Sequence, residues 1–396
     1  MLEKAQFRTE AASRPGRVVF VIGTLDVGGS ETQLTTLAEG LVRRGWKIEV
    51  FAIDRTGALA ERLRAAGVNV TGGRTGLAPG TARARRVLGL AGCQVKLFWR
   101  IALTRPDVVH GFLPLTNFMA VVAGRSALAR FVVTSRRALG HHRERRPRLN
   151  WIDGVANAGS DVVTANSSAV ARDMSAREGY PLESIVVIRN GLDFARFEGL
   201  ERERDATRRE LGLSPEDVAL VKVANLIPYK GHAELIEAFA AVASQWPSLK
   251  LFLVGRDDGP GAALAAAAER HGIASRVVLL GHRPDVPRVL SAMDAGVVAS
   301  HEEGSSNALI EQLAVGLPIV ATAVGGNVEA LEGVPDCTLV PARDPAALAA
   351  AIGAMVEALP ASVFRRAERQ QIVREQYALD AMIGRYERLY RSRGRT

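Results

Sequence analysis

Glu303 and Glu311 stand with seven residues between them, Gly304-Ser305-Ser306-Asn307-Ala308-Leu309-Ile310. Ser305, Ser306 and Asn307 are side chains that cap helices, and the free N–H groups of a helix start attract anions such as diphosphate. A carboxylate in the loop before such a helix could reach a sugar hydroxyl, and one within the helix could accept from ribose hydroxyls. Pro318-Ile319-Val320-Ala321-Thr322 then reads as a short buried strand and Val324-Gly325-Gly326 as a glycine turn. The whole stretch is suited to gripping a phosphorylated sugar from several sides. Each carboxylate taken alone has a plainer reading. At about 100° per residue Glu311 lies opposite Leu309 and Leu313, the place of a solvated helix residue, and Glu303 could be an ordinary loop charge.

Further segments carry chemistry of the same kind. Asn225-Leu226-Ile227-Pro228-Tyr229-Lys230-Gly231-His232 follows a strand pattern and opens a helix pattern. A lysine there can place its ammonium on a diphosphate and stabilise the charge growing on a leaving group, although a Lys-Gly pair at a helix start is common in itself. Gly28-Gly29-Ser30-Glu31 lets the backbone approach a ligand closely, and it lacks the Gly-x-Gly-x-x-Gly spacing of a nicotinamide site. His110 ends the run Asp107-Val108-Val109, where a histidine can touch a ligand or be a packed, satisfied side chain. Ser135, Arg136 and Arg137 follow the next apolar run and are candidates for meeting phosphate or an acceptor. Asp257 and Asp258 invite a metal reading, but Arg256 and Gly259 flank them and no further ligands accompany them, so they read as loop carboxylates.

In this order and context, the Lys230 and Glu303…Glu311 combination resembles that of the GT4-type retaining glycosyltransferases, and the likeness runs from Gly28 to Gly326. The resemblance implies a GT-B fold, two doubly wound Rossmann-like domains facing a central cleft. It implies transfer of a sugar from a nucleotide-diphosphate donor, with UDP as the expected nucleotide, to a hydroxyl of a glycan or lipid-linked acceptor, with retention and without a metal or other cofactor. It assigns Lys230 to the leaving diphosphate, Glu303 to the donor sugar and Glu311 to the ribose, and makes Glu303, Lys230 and His110 the catalytic candidates. Gly28, Gly29, Asn225, Arg283 and the segment Gly304, Ser305, Ser306, Asn307, Ala308 and Leu309 complete the implied donor site. Ser135, Arg136 and Arg137 fall on the acceptor side. Asn166-Ser167 and Asn190-Gly191 match landmarks read as turn and hinge chemistry. Two positions depart from the pattern: Asn225 stands where an arginine is usual, and His110-Gly111-Phe112 replaces His-x-His.

These residues need a scaffold of alternating strands and helices. Apolar runs from Arg17–Gly23 to Ser184–Ile188 alternate with helical segments, and the pattern restarts at Val218–Ala224 and continues to Cys337–Val340. Such alternation predicts parallel sheets covered on both faces. At 396 residues the chain exceeds one core. Domains are expected at 1–199 and 200–375, with a helix over 376–396 whose Met382, Ile383, Tyr386 and Leu389 return to the first domain. Cys93 and Cys337 have no metal or redox spacing.

Charge is concentrated in one region. Residues 81–148 hold 14 basic side chains against 2 acidic, while the whole chain is +9. The segment from Thr81 to Leu103 reads as an amphipathic helix, Arg85, Lys96 and Arg100 on one stripe and Leu88, Val95, Phe98 and Ala102 on another; a helix packed on the sheet with a solvated basic face explains that stripe, and so does a membrane interface. A basic loop follows at Arg136, Arg137, His141, His142, Arg143, Arg145, Arg146 and Arg148. The expected partner is an anionic membrane surface or a lipid-diphosphate acceptor. A nucleic-acid partner is not expected, because no aromatic residue is interleaved in the arginine loop. Met1 to Arg17 is polar and charged and reads as a frayed extension rather than a signal peptide, and no run of about 18 uninterrupted apolar residues occurs. The expectation is a cytoplasmic enzyme with a peripheral position on the inner membrane face. An epimerase or phosphorylase of the same fold is the alternative, and a basic nucleic-acid binder a more distant one.

Overall fold

Apolar runs become parallel strands throughout. The computed structural model describes residues 15–73, 83–145, 147 and 150–392. Seven strands form the first sheet: β1 (Arg17–Ile22), β2 (Lys47–Ala52), β3 (Asn69–Gly72), β4 (Val108–Phe112), β5 (Val132–Arg136), β6 (Val162–Ala165) and β7 (Ile185–Val187). Their order is β3-β2-β1-β4-β5-β6-β7, every pairing parallel. Six strands form the second: β8 (Val218–Val223), β9 (Leu249–Val254), β10 (Val277–Gly281), β11 (Ala295–Val298), β12 (Ile319–Thr322) and β13 (Cys337–Val340). Here the order is β10-β9-β8-β11-β12-β13, again all parallel. Helices cover both faces, so the central strands β1, β4, β5 and β11 are buried along nearly their whole length, and β1 and β11 are almost wholly apolar. The chain divides into two compact units, Met1–Gly191 with Asp380–Thr396 and Leu192–Leu379. These boundaries lie at 191/192 and 379/380 rather than at 199/200 and 375/376.

The helix Leu379–Ser392 buries Met382, Ile383, Tyr386, Leu389 and Tyr390. It packs on the first unit where Gly40 leaves room for Ile383. Arg44 pairs with Glu387 at 3.0 Å, and Trp46 Nε1 donates to the same carboxylate at 3.1 Å. Tyr390 stacks edge-on against Trp46 at 5.9 Å.

The basic helix runs over Arg83–Thr104, so the expected start at Thr81 lies outside the described residues. Its buried face is Cys93, Leu97 and Ile101, with Leu90 and Phe98 against the same core. The apolar stripe expected through Leu88 and Val95 is instead exposed, together with Val87, Trp99 and Leu103. A 22-residue helix has more apolar side chains here than one core-facing stripe can use. Arg100 is not a free surface cation, since it pairs with buried Glu49 at 2.6 Å. This helix and Pro345–Tyr377 are long and apolar enough to span a bilayer by composition, but each also contributes side chains to a core built on a sheet.

Candidate functional site

The order of the second sheet reverses between β8 and β11. Ligands of open parallel sheets bind beyond the carboxyl ends of the strands at such a point, and two of the expected catalytic residues lie there. After β8 the chain passes through the turn Pro228–Lys230, and Gly231 adopts φ +67°. A Cβ on Gly231 would overlap the Ala299 carbonyl oxygen, so only glycine lets this turn rest against the end of β11. After β11 the chain carries Ser300 and Glu303 toward the helix Asn307–Ala314. Lys230 Nζ donates to Glu303 Oε1 at 2.6 Å, and Ser300 Oγ donates to the same oxygen at 2.7 Å. The Lys230 and Glu303 side chains are only 19% and 9% exposed, so the pair is held by its surroundings rather than loose in solvent. The ammonium also lies 5.2 Å from the centre of the Tyr229 ring. His301 clamps the two loops together: its backbone N–H donates to the Tyr229 carbonyl at 2.8 Å, and its ring Nε2 lies 2.8 Å from Glu234 Oε1.

Of the three capping candidates, Ser306 is the N-cap, its Oγ accepting the Leu309 N–H at 3.3 Å. Gly304 and Ser305 form the loop before it, and Asn307, Ala308 and Leu309 the first turn. Gly326 presses on that loop, where a Cβ would collide with the Gly304 carbonyl oxygen. Glu311 departs from the solvated-residue reading. Part of it reaches the surface, yet burial raises its carboxyl to about 7, with Arg196 opposing the shift. A helix this short, packed on its sheet and against the Arg366–Tyr377 helix, has little open face.

Asn225 makes a turn contact, its Oδ1 accepting the Arg256 N–H at 3.2 Å. Arg283 sits at the end of β10, the edge strand, with β9 between it and β8. It is committed to Asp285 at 2.7 Å and Glu210 at 3.2 Å, and those carboxylates raise its pKa. Asp257 caps the backbone N–H groups of Gly259 and Gly261, and Asp258 pairs with Arg256 at 2.6 Å. Among the described residues no cluster of three His, Cys, Asp or Glu side chains has metal-binding geometry.

The first sheet reverses between β1 and β4. Gly28 and Gly29 open the helix Gly29–Arg43 after β1, Gly28 being its N-cap. Burial raises the Glu31 carboxyl, and the charge of Arg137 opposes that shift. Arg137 is 8% exposed and donates to Asn190 Oδ1 at 2.7 Å, while its Nε has no partner. The loop, Glu31, Arg137 and Asn190 therefore belong to one neighbourhood.

Three expectations in this unit need correction. His110 is completely buried. Its Nδ1 lies 2.7 Å from the Tyr390 hydroxyl and its Nε2 2.7 Å from Ser135 Oγ, and burial holds its pKa well below the ordinary value. With both ring nitrogens occupied it is the packed, satisfied histidine, not one open to a sugar. Ser135 is likewise interior, bonded to His110 and to Thr164 Oγ1 at 2.6 Å. Arg136 is buried in a network with Asp153 at 2.6 Å, Asn157 at 2.8 Å and Glu178 at 2.9 Å. A strand covered on both faces leaves no open side, so these residues fill the interior. Arg143 joins the same carboxylates at 3.3 and 3.8 Å. Arg146 and Arg148 lie outside the described residues, as do the His142 and Arg145 side chains.

Sequence patterning passed over Lys222. It lies in β8, is 1% exposed, and burial lowers its pKa to about 7. The only sequence signal is a lysine inside the apolar run Val218-Ala219-Leu220-Val221-Lys222-Val223.

Residues 27–196 match the family profile described as Glycosyltransferase Family 4, and residues 217–358 match that described as Glycosyl transferases group 1. A protein of Geodermatophilus obscurus named D-inositol 3-phosphate glycosyltransferase is 28% identical over 357 residues, 84% of this chain and 79% of that one. A namesake from Segniliparus rotundus is 32% identical over 179 residues, 44% of this chain and 39% of the other. Among solved structures, HepE of Anabaena in complex with UDP-glucose has a TM-score of 0.82 at 22% identity, covering 95% of this chain and 100% of that one. WaaG, described as a glycosyltransferase involved in lipopolysaccharide biosynthesis, has a TM-score of 0.74 at 16% identity, covering 93% and 98%.

Proposed function

For a chain that belongs to the GT4-type glycosyltransferases and has the GT-B fold, we propose retaining transfer of a sugar from a UDP-sugar to a hydroxyl of a glycan or lipid-linked acceptor. The observation that carries this reading is the Lys230–Glu303 pair beside the Ser306-capped helix, all at the reversal point of the second sheet. Lys230 moves from Glu303 to the donor diphosphate, and Glu303 is released to accept from a sugar hydroxyl. The positive end of the Asn307–Ala314 helix adds partial positive charge on the same diphosphate. We assign Glu311, its carboxyl raised to about 7, to the ribose hydroxyls.

The chemistry follows the front-face route. The anomeric C–O bond to diphosphate breaks as the acceptor oxygen bonds to the same face of that carbon, and the acceptor proton passes to the departing diphosphate. Products are the glycoside and UDP. No protein nucleophile and no metal take part. Lys230 stabilises charge that is greater in the transition state than in the bound donor.

On the acceptor side we retain Arg137, beside Glu31 and Gly28; Ser135 and Arg136 serve the interior. The first unit also exposes Val87, Leu88, Val95, Trp99 and Leu103, with Arg85, Arg86 and Lys96 on the same helix. Exposed Trp151 extends this apolar surface, its ring edge-on to Phe118 at 5.1 Å. Apolar and cationic side chains together suit an anionic lipid interface, which supports a lipid-linked acceptor and a peripheral cytoplasmic location. The names of the relatives favour a second acceptor class, a phosphorylated cyclitol. Product analysis with UDP-glucose and other UDP-sugars, against a lipid-linked glycan and against inositol 3-phosphate, decides between them. Turnover of donor alone, or only with inorganic phosphate, would replace transfer by epimerisation or phosphorolysis.

A further inference from the structure

Lys222 does not belong to the ordinary furniture of a parallel sheet. Its strand neighbours in register are Leu253 on β9 and, by continuation of the β11 pairing, Val297. Both belong to the apolar core on that face, with Leu220 two residues earlier on the same strand. An ammonium in such a ring needs a counter-charge, yet Lys222 forms no ion pair or hydrogen bond with a described residue. The charges that act on it are those of the site just described. Lys230 repels it, while Glu303 and Glu234 attract it. His232, in the first turn of the helix His232–Ala243, faces it as well. That ring is buried, and burial followed by the charge of Lys222 lowers its pKa to about 3. Glu234 is already engaged by His301 and Glu303 by Lys230. Lys222 therefore has no carboxylate left to itself, and it lies next to the last residue of β8, the strand that leads into the Lys230 turn.

We propose that Lys222 is a positioning residue of the donor site, a buried amine that takes a proton from solvent when a nucleoside diphosphate joins Lys230, and so supplies the second positive charge facing the diphosphate. This rests on the donor reading above. A buried amine changes charge readily where a guanidinium would not, and a new anion nearby favours the charged form. With a free-state pKa near 7 the amine is mostly neutral at pH 8, and a bound anion that raises it to about 9 leaves it mostly charged. Binding of UDP at pH 8 should then draw in about 0.8 proton, falling toward zero at pH 6, where Lys222 is charged beforehand. Affinity weakens as pH rises above 7, because each binding event must also capture a proton.

Titration calorimetry of the full chain with UDP, in buffers of differing ionisation enthalpy at pH 6 and pH 8, measures this uptake. Wild type should show it at pH 8. Lys222→Met should lose the uptake and bind UDP at least about 10-fold more weakly. Lys222→Arg, charged throughout, should bind without uptake and without the pH dependence. UDP binding by the wild type without uptake at pH 8 would overturn the proposal, whatever the variants do. So would undiminished uptake in Lys222→Met, which would move the proton to His232 or elsewhere. Absence of UDP binding by the wild type at either pH would instead remove the donor reading, and the role of Lys222 with it.

Discussion

Lys230 and Glu303, 73 positions apart in the chain, meet at 2.6 Å because the loops that carry them follow β8 and β11, which are adjacent parallel strands. The pair is thus a product of strand order. Replacing either partner should leave both sheets intact while removing the charge that stabilises the leaving diphosphate. Lys230→Ala and Glu303→Gln are each expected to cut transfer by about 100-fold to 1,000-fold. Steady-state kinetics beside thermal unfolding checks this, and unchanged turnover in either variant would refute the assignment.

Glu311 makes a prediction about stability and pH. Its folded carboxyl is raised to about 7 from 4.5, so the folded state holds the proton more tightly than the unfolded chain. The sign is therefore opposite to that of a salt-bridged acid. Nothing is lost below about pH 4, stability falls as pH rises through the window from 4.5 to 7, and the loss then levels off. The full penalty is at most about 3 kcal/mol. Glu311→Gln should abolish it, making the variant more stable than wild type at pH 8 but not at pH 4. The same change should weaken donor binding. Denaturant unfolding at both pH values, with UDP titration, reads out the two effects separately.

Gly231 is expected to tolerate no side chain. At φ +67°, with its Cβ position against the Ala299 carbonyl, Gly231→Ala must shift either β11 or the Lys230 turn. A loss of about 2 kcal/mol or more in stability is expected. The fraction that remains folded should transfer poorly, because Lys230 is displaced from Glu303. Normal kinetics in a folded Gly231→Ala protein would contradict this geometry.

The Arg136 network separates an interior role from an acceptor role. Removing the guanidinium leaves buried Asp153 and Glu178 with only Arg143, at 3.3 and 3.8 Å, as counter-charge, which costs about 3 kcal/mol. Arg136→Met should therefore lower the unfolding midpoint sharply. Arg137→Met, by contrast, is expected to raise the KM for acceptor more than it lowers stability. Comparing the two variants by unfolding and by acceptor titration tests the division.

Recruitment to lipid can be tested on the exposed helix. Arg85→Glu with Arg86→Glu and Lys96→Glu, or Trp99→Ser alone, should reduce co-sedimentation with vesicles containing acidic lipid. Each cation contributes about 1 kcal/mol at an anionic surface. Soluble-acceptor turnover should stay the same. Equal sedimentation of wild type and the triple variant would eliminate this surface as a membrane contact.

The sheets were legible because strands covered on both faces must be apolar, as Arg17–Ile22 and Ala295–Val298 are. The positions of Lys230, Glu303 and Ser306 in turns and a cap after strands were legible because local loop and cap chemistry marks them. Arg136 and His110 misled for the converse reason. Whether a cation or an imidazole at a strand end is open or interior depends on Asp153, Glu178 and Tyr390, which lie 17, 42 and 280 positions away. A helical wheel likewise misplaced Glu311, since it assumes that the face opposite the leucines meets water. Lys222 went unnoticed because a single charge hardly alters the apolar average of its strand.

Tyr390 closes over His110, and Glu387 over Arg44 and Trp46, although β1 to β7 are complete by residue 187. The portion that leaves the ribosome earliest must wait for the final helix before the second nitrogen of its imidazole is paired and its aromatic cluster is sealed. Folding during synthesis thus ends where it began. A nascent chain halted before residue 379 would display an unfinished apolar face, a target for chaperones and a reason for premature termination products to aggregate.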